Sequence, residues 1–138
     1  MSISEKVKKL NFLLGKYVVV GGGTMEARGI RKANDIDIVV TEDLYKELVN
    51  KGWKVCRCRC EWCSNWNCNI LNHHGGIEIL PDYSWGDYKA DTNELIKSAQ
   101  IIDGVPFVNL EELLKWKKAA NRDKDKKDIK LIEEFLRT

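Results

Sequence analysis

The chain has 138 residues, and 23 Lys and Arg stand against 21 Asp and Glu for a formal charge of +2. That length suffices for one domain around a single core, and the near-balance of charge excludes an obligatory electrostatic reliance on nucleic acid or membrane. No apolar run approaches membrane-spanning length and no signal-peptide pattern is present. A cytoplasmic protein with no membrane partner is therefore expected, with its five cysteines reduced.

Residues 2–14 read as a helix capped at Ser4, with Val7, Leu10, Leu13 and Leu14 as its apolar stripe and Gly15 as its stop. Val18, Val19 and Val20 have the look of a buried strand, followed by Gly21, Gly22 and Gly23. Residues 24–28 read as a helical turn or two ending at Gly29, and residues 35–40 as a second strand, reached by a parallel connection over that helix. Thr41 caps a helix over 42–51 that Gly52 stops. Residues 53–60 alternate as a strand, Cys56, Cys58 and Cys60 facing one way and Val55, Arg57 and Arg59 the other, with 61–65 a turn and 66–72 a returning strand. Residues 77–80 form a strand carrying Glu78, and 81–88 an irregular aromatic segment. A short helix over 91–99 precedes a hairpin turning at Asp103-Gly104. Asn109 caps a helix through Ala120, and residues 126–136 form a last helix with Ile129, Leu131, Ile132, Phe135 and Leu136 inward. This pattern predicts an α/β fold, α+β in stricter terms: one domain with a small mixed sheet of about five strands and flanking helices.

Asp35 and Asp37 share one face of their strand, because side chains two apart point the same way. Adjacent carboxylates repel unless a proton or cation lies between them, and a hard cation such as Mg²⁺ (or Mn²⁺) takes carboxylate oxygens together with substrate phosphates. Glycine backbone before a helix start admits a phosphate closely. The competing reading makes the glycines a tight turn and the aspartates solvated edge residues. Arg28, Arg31 and Lys32 either contact a phosphate chain or lie solvated on the surface.

Val20-Gly21-Gly22, a gap, and Asp35-Ile36-Asp37-Ile38 resemble the signature of the DNA polymerase β-type nucleotidyltransferase superfamily. Ile77-Glu78-Ile79 is similar to that family's third carboxylate motif, with Asp82 a rival outside the strand. Lys117, Arg122, Lys124, Asp125, Asp128 and Ile129 resemble the ending of small nucleotidyltransferases related to AbiE-type toxins and antibiotic-modifying enzymes. The resemblance implies a minimal nucleotidyltransferase fold and transfer of a nucleoside monophosphate from an NTP, ATP among the candidates, with release of pyrophosphate. It implies Asp35, Asp37 and Glu78 as catalytic and metal-holding residues. Gly21, Gly22, Thr24, Lys117, Arg122 and Lys124 would then be nucleotide-binding. The acceptor stays open among a protein side chain, a tRNA end and a small molecule. The oligomeric state stays open as well: a homodimer or a partner protein is one way to supply an acceptor pocket, though no stretch demands it, and a non-catalytic, toxin–antitoxin-type binding module is the alternative.

Cys60 and Cys63, with Cys68 and His73 or His74, have zinc-ligand character. A second C-x-x-C is lacking, and cysteines at strand spacing read as small hydrophobes, so zinc is not expected. A zinc-stabilised nucleic-acid binder is the remaining alternative, disfavoured by the near-neutral charge.

Overall fold

A computed structural model of the chain describes residues 1–58 and 60–138. The predicted side of Arg59 thus lies outside the described residues. Helix α1, Ile3–Lys8, starts where the Ser2 hydroxyl accepts the Glu5 N–H at 3.1 Å. It ends well before Leu14. Asn11 takes a left-handed turn, and Leu13 and Leu14 are 72% and 65% exposed, so the stripe predicted through residue 14 breaks after its first part. Strand β1, Tyr17–Val20, is buried along its whole length. Helix α2, Gly22–Ala27, follows at once and leads to strand β2, Ile36–Val40.

β1 and β2 pair antiparallel, with Val20 opposite Asp37. The parallel connection predicted between them is thus corrected. The six residues of α2 span about 9 Å at 1.5 Å per residue, and the chain returns from the end of β1 that it left. This reversal sets Gly21 against Asp37.

Helix α3, Glu42–Asn50, packs Leu44 and Leu48 inward and runs out at Gly52. Both strands predicted between residues 53 and 72 are absent among the described residues. Residues 53–58 form no strand and meet the returning chain at an isolated bridge from Val55 to Leu71, flanked by backbone bonds from Cys56 to Ile70 and from Asn72 to Lys54, and Cys60 caps a short helix α4, Glu61–Ser64. Asn67, Cys68, Asn72 and His74 have φ of 54°, 60°, 57° and 67°. Left-handed residues fold the chain back on itself and cannot continue an extended ladder.

Strand β3, Ile77–Leu80, runs parallel to β2 and sets Glu78 beside Asp37. Helix α5, Thr92–Lys97, leads to the hairpin of β4, Gln100–Ile102, and β5, Val105–Phe107, at the predicted Asp103-Gly104 turn. Helix α6, Leu110–Ala120, is capped by Asn109, whose side-chain oxygen accepts the Glu112 N–H at 2.9 Å. Helix α7, Asp123–Arg137, begins earlier than predicted because the Asp125 carboxylate accepts the Arg122 N–H at 3.0 Å. Of its expected inward residues Ile132 is buried, while Phe135 and Leu136 are 42% and 48% exposed.

Among the described residues the result is a mixed five-stranded sheet of order β3-β2-β1-β5-β4 with seven helices, an α+β fold. On one face α1 and α3 cover Val19, Ile38, Val40 and Phe107. On the other, Val18, Val20, Val39 and Leu80 meet Trp66, Tyr83, Leu113, Trp116 and Ile132. Asp37 and Glu78 belong to this second face by strand alternation, at its polar end. Among the described residues no helix is long and apolar enough to cross a membrane.

Candidate functional site

At that end of the sheet a cavity of about 300 Å³ opens between the strands, α4 and the α6–α7 corner. Asp35, Asp37 and Glu78 line one side, with Gly21 and Gly22 at its edge, and Lys117, Arg122 and Lys124 line the other. Three separate stretches singled out in the sequence therefore meet in one place. Thr24 does not reach it: the hydroxyl is buried and donates to the Gly21 carbonyl at 2.6 Å, securing the turn.

Gly21 adopts φ +66° and ψ −147°, and a Cβ there would stand 3.1 Å from Asp37 Oδ2. Only glycine meets both demands. At Gly22 a Cβ would stand 3.3 Å from the Arg31 guanidinium, which lies over the turn. Burial pushes the Asp37 carboxyl up to about 7, joined by the negative charges of Glu78 and Asp35 and opposed by Lys124 and Lys117. At neutral pH this group therefore both holds and releases a proton.

The cationic wall is itself built on buried carboxylates. Lys117 Nζ lies 2.9 Å from Asp128 and 3.4 Å from Asp125. Arg31 holds Asp128 with two hydrogen bonds at 2.7 and 2.8 Å, and Arg122 holds Asp125 at 2.7 and 3.1 Å. Burial would raise both carboxyls, yet these cations hold them below the usual range. The Arg122 guanidinium also lies 5.1 Å from the Trp62 ring and 5.2 Å from that of Trp116. Lys124 is exposed at the rim, and among the described residues it has no carboxylate partner. Tyr83 stacks on Trp116 at 4.9 Å and Trp85 packs against Trp62 and Trp66, so both rings are engaged within the protein. Arg28 is turned away, onto Gln100 and the carbonyls of Thr24 and Val108.

Cys60, His73 and His74 also line the cavity, and they belong to a cluster of thiols and imidazoles. One ligand atom from each of Cys56, Cys58, Cys63 and His73 lies within 4.8 Å of all the others. Cys60 Sγ adjoins them, 3.3 Å from His73 Nε2 and 3.4 Å from Cys63 Sγ. The backbone N–H of Cys60 leads the effects that draw the Cys58 thiol down to about 6, and the Cys63 N–H lowers Cys60 in the same way. Thiolate is thereby favoured at Cys58 at neutral pH, whereas burial raises the Cys56 and Cys63 thiols.

This cluster overturns the expectation of Mg²⁺ or Mn²⁺ with zinc set aside. The donors that the fold converges are sulfur and imidazole nitrogen, which suit zinc and not a hard cation. Asp35, Asp37 and Glu78 form no comparable group among the described residues. Asp35 is exposed ahead of β2. Glu78 is turned toward the cluster, where the Trp62 indole N–H and the His74 backbone N–H donate to it at 3.3 Å each. The carboxylates do not fit the hard-cation site that the resemblance implied. Cys56 and Cys58 were missed as ligands although their alternation with Cys60 on one face was legible; Trp62 carried no signal at all.

No family model matches the chain, and no curated protein matches it.

Proposed function

We propose that the cavity binds the phosphate chain of a nucleoside triphosphate and transfers its nucleoside monophosphate to an acceptor hydroxyl. The observation that carries this reading is the facing of Asp37 and Glu78, in register on β2 and β3, with the cations Lys117, Arg122 and Lys124 across one cavity edged by Gly21 and Gly22. Trp116 Nε1, buried and also in its lining, has no hydrogen-bond partner among the described residues.

In this reading Lys124, exposed at the rim, meets the terminal phosphates, and Lys117 and Arg122 supply fixed positive charge that their carboxylates anchor. The acceptor oxygen forms a bond to the α-phosphorus as the bond from that phosphorus to the bridging oxygen breaks. The electron pair leaves on pyrophosphate, and the acceptor proton passes to the Asp37 carboxylate. The test is incubation with each α-labelled NTP and candidate acceptors across a panel of divalent cations. Labelled acceptor with stoichiometric pyrophosphate supports the reading when Asp37→Asn abolishes both. Equal labelling by wild type and Asp37→Asn contradicts it.

A further inference from the structure

We propose that Cys56, Cys58, Cys63 and His73 bind one zinc ion, and that His73 joins this ion to Glu78 on the cavity wall. Four sulfur or nitrogen donors around zinc at about 2.3 Å for sulfur and 2.0–2.1 Å for nitrogen require donor-to-donor separations of roughly 3.5–3.8 Å. The observed sulfur separations are 3.1 Å for Cys56 to Cys58 and 3.4 Å for Cys58 to Cys63. Expansion by a few tenths of an ångström admits the ion. Cys60 accepts the Cys63 N–H at 3.4 Å, a bond that holds the C-x-x-C turn. All five cysteines are free of disulfides, as a soft-metal site requires.

The second observation is His73. Its Nε2 lies 3.3 Å from Cys60 Sγ, beside the four-donor cluster, while Nδ1 lies 3.1 Å from Glu78 Oε1, both side chains being 6% exposed. That approach is close enough for an ion pair, yet the ring N–H is not aimed at the carboxylate and Nδ1 has no hydrogen bond. Zinc on Nε2 forces the ring proton onto Nδ1, where Glu78 is the acceptor at hand. A carboxylate behind a metal-bound histidine fixes its tautomer and strengthens its grip on the ion. Glu78 is thus a positioning residue for the metal, and the metal holds Glu78 in register with Asp37. The site stands apart from the nucleotidyl-transfer reading, since metal content and spectrum report on it without turnover.

The experiment is elemental analysis of the full chain purified without added chelator, followed by cobalt titration of the chelator-stripped protein. One equivalent of zinc and the visible absorption of tetrahedral, thiolate-bound cobalt are expected, both lost in the Cys58→Ser/Cys63→Ser double variant. Cys60 cannot replace two ligands at once. If that variant does not fold, the wild-type stoichiometry and spectrum decide: no metal, or cobalt without thiolate absorption, overturns the site. Glu78→Gln should retain the cobalt spectrum and weaken cobalt binding about tenfold, the low end for such supporting carboxylates. Asp37→Asn, next to Glu78 but not touching His73, should bind cobalt as wild type does. Unchanged cobalt affinity in Glu78→Gln overturns the link through His73.

Discussion

Asp37 occupies a costly place for a carboxylate, half-buried at the strand end with Glu78 on the adjoining strand and Asp35 two residues away. Its carboxyl is raised from an ordinary value near 3.8 to about 7. The folded state therefore binds more protons than the unfolded chain between those values, so this group lowers stability as pH rises from 4 to 7. Asp37→Asn removes that penalty. The variant should unfold at higher temperature than wild type at pH 7.5, by on the order of 2 kcal/mol after allowance for water at the cavity mouth, and the gain should vanish near pH 4. A thermal melt at both pH values checks this; equal melting temperatures at pH 7.5 would contradict the burial argument. Gly21 predicts the opposite sign. Its φ of +66° with ψ −147° and its contact with Asp37 Oδ2 make Gly21→Ala destabilising by about 1–3 kcal/mol, measurable by urea denaturation.

At the scale of elements, α6 and α7 are joined by buried ion pairs as well as by apolar packing. Lys117 is 5% exposed and holds Asp125 and Asp128, which are 0% and 7% exposed. Lys117→Met would leave two carboxylates short of a cation and should cost about 3–5 kcal/mol. Lys46→Met, which breaks the exposed pair with Glu42, should cost about 0.3–0.5 kcal/mol. Chemical denaturation of the two variants separates the cases. Because the carboxyls of Asp125 and Asp128 are lowered by their cations, the stability they contribute is present above pH 4 and disappears as the pH falls through their depressed values.

The elements differ in how far the sequence revealed them. Valine runs, the Asp103-Gly104 turn and the Asn109 cap are local signals, and each produced the element it predicted. The direction of β2 relative to β1 was hidden, because it depends on how tightly α2 folds back at Gly21. Between residues 53 and 72 the alternation of Cys56, Cys58 and Cys60 put three sulfurs on one side, as read, but the element is no ladder strand. Polar asparagines at left-handed positions and convergence on His73 override the periodicity. The carboxylates and cations of the site were legible as residue types at motif spacing. The turning of Glu78 toward His73 was not, because a tertiary contact decides it.

For the whole molecule, the Cys/His segment is a clamp between the two cores. Cys63, Trp66 and Ile70 enter the core beneath α6 and α7, while Leu71 enters the core beneath α1 and α3. Backbone bonds from Cys56 to Ile70, from Asn72 to Lys54 and between Leu71 and Ile79 fasten this segment, and a bound ion would add a further tie. At a free zinc concentration 100-fold above the dissociation constant, binding stabilises the fold by about 2.7 kcal/mol, or roughly 5–10 °C for a chain of this size. Chelation should lower the melting temperature by that amount, and re-addition of zinc should restore it.

The central claim is that the charged cavity is a nucleotide site, and calorimetric titration of each of the four NTPs into the full, metal-loaded chain tests it most directly. The account predicts saturable one-to-one binding of at least one NTP. Lys124→Ala, which removes an exposed rim cation with no carboxylate ion pair among the described residues, should weaken that binding about tenfold while the protein stays folded. Failure of all four NTPs to bind the folded, loaded protein, or equal affinity in Lys124→Ala, would contradict it.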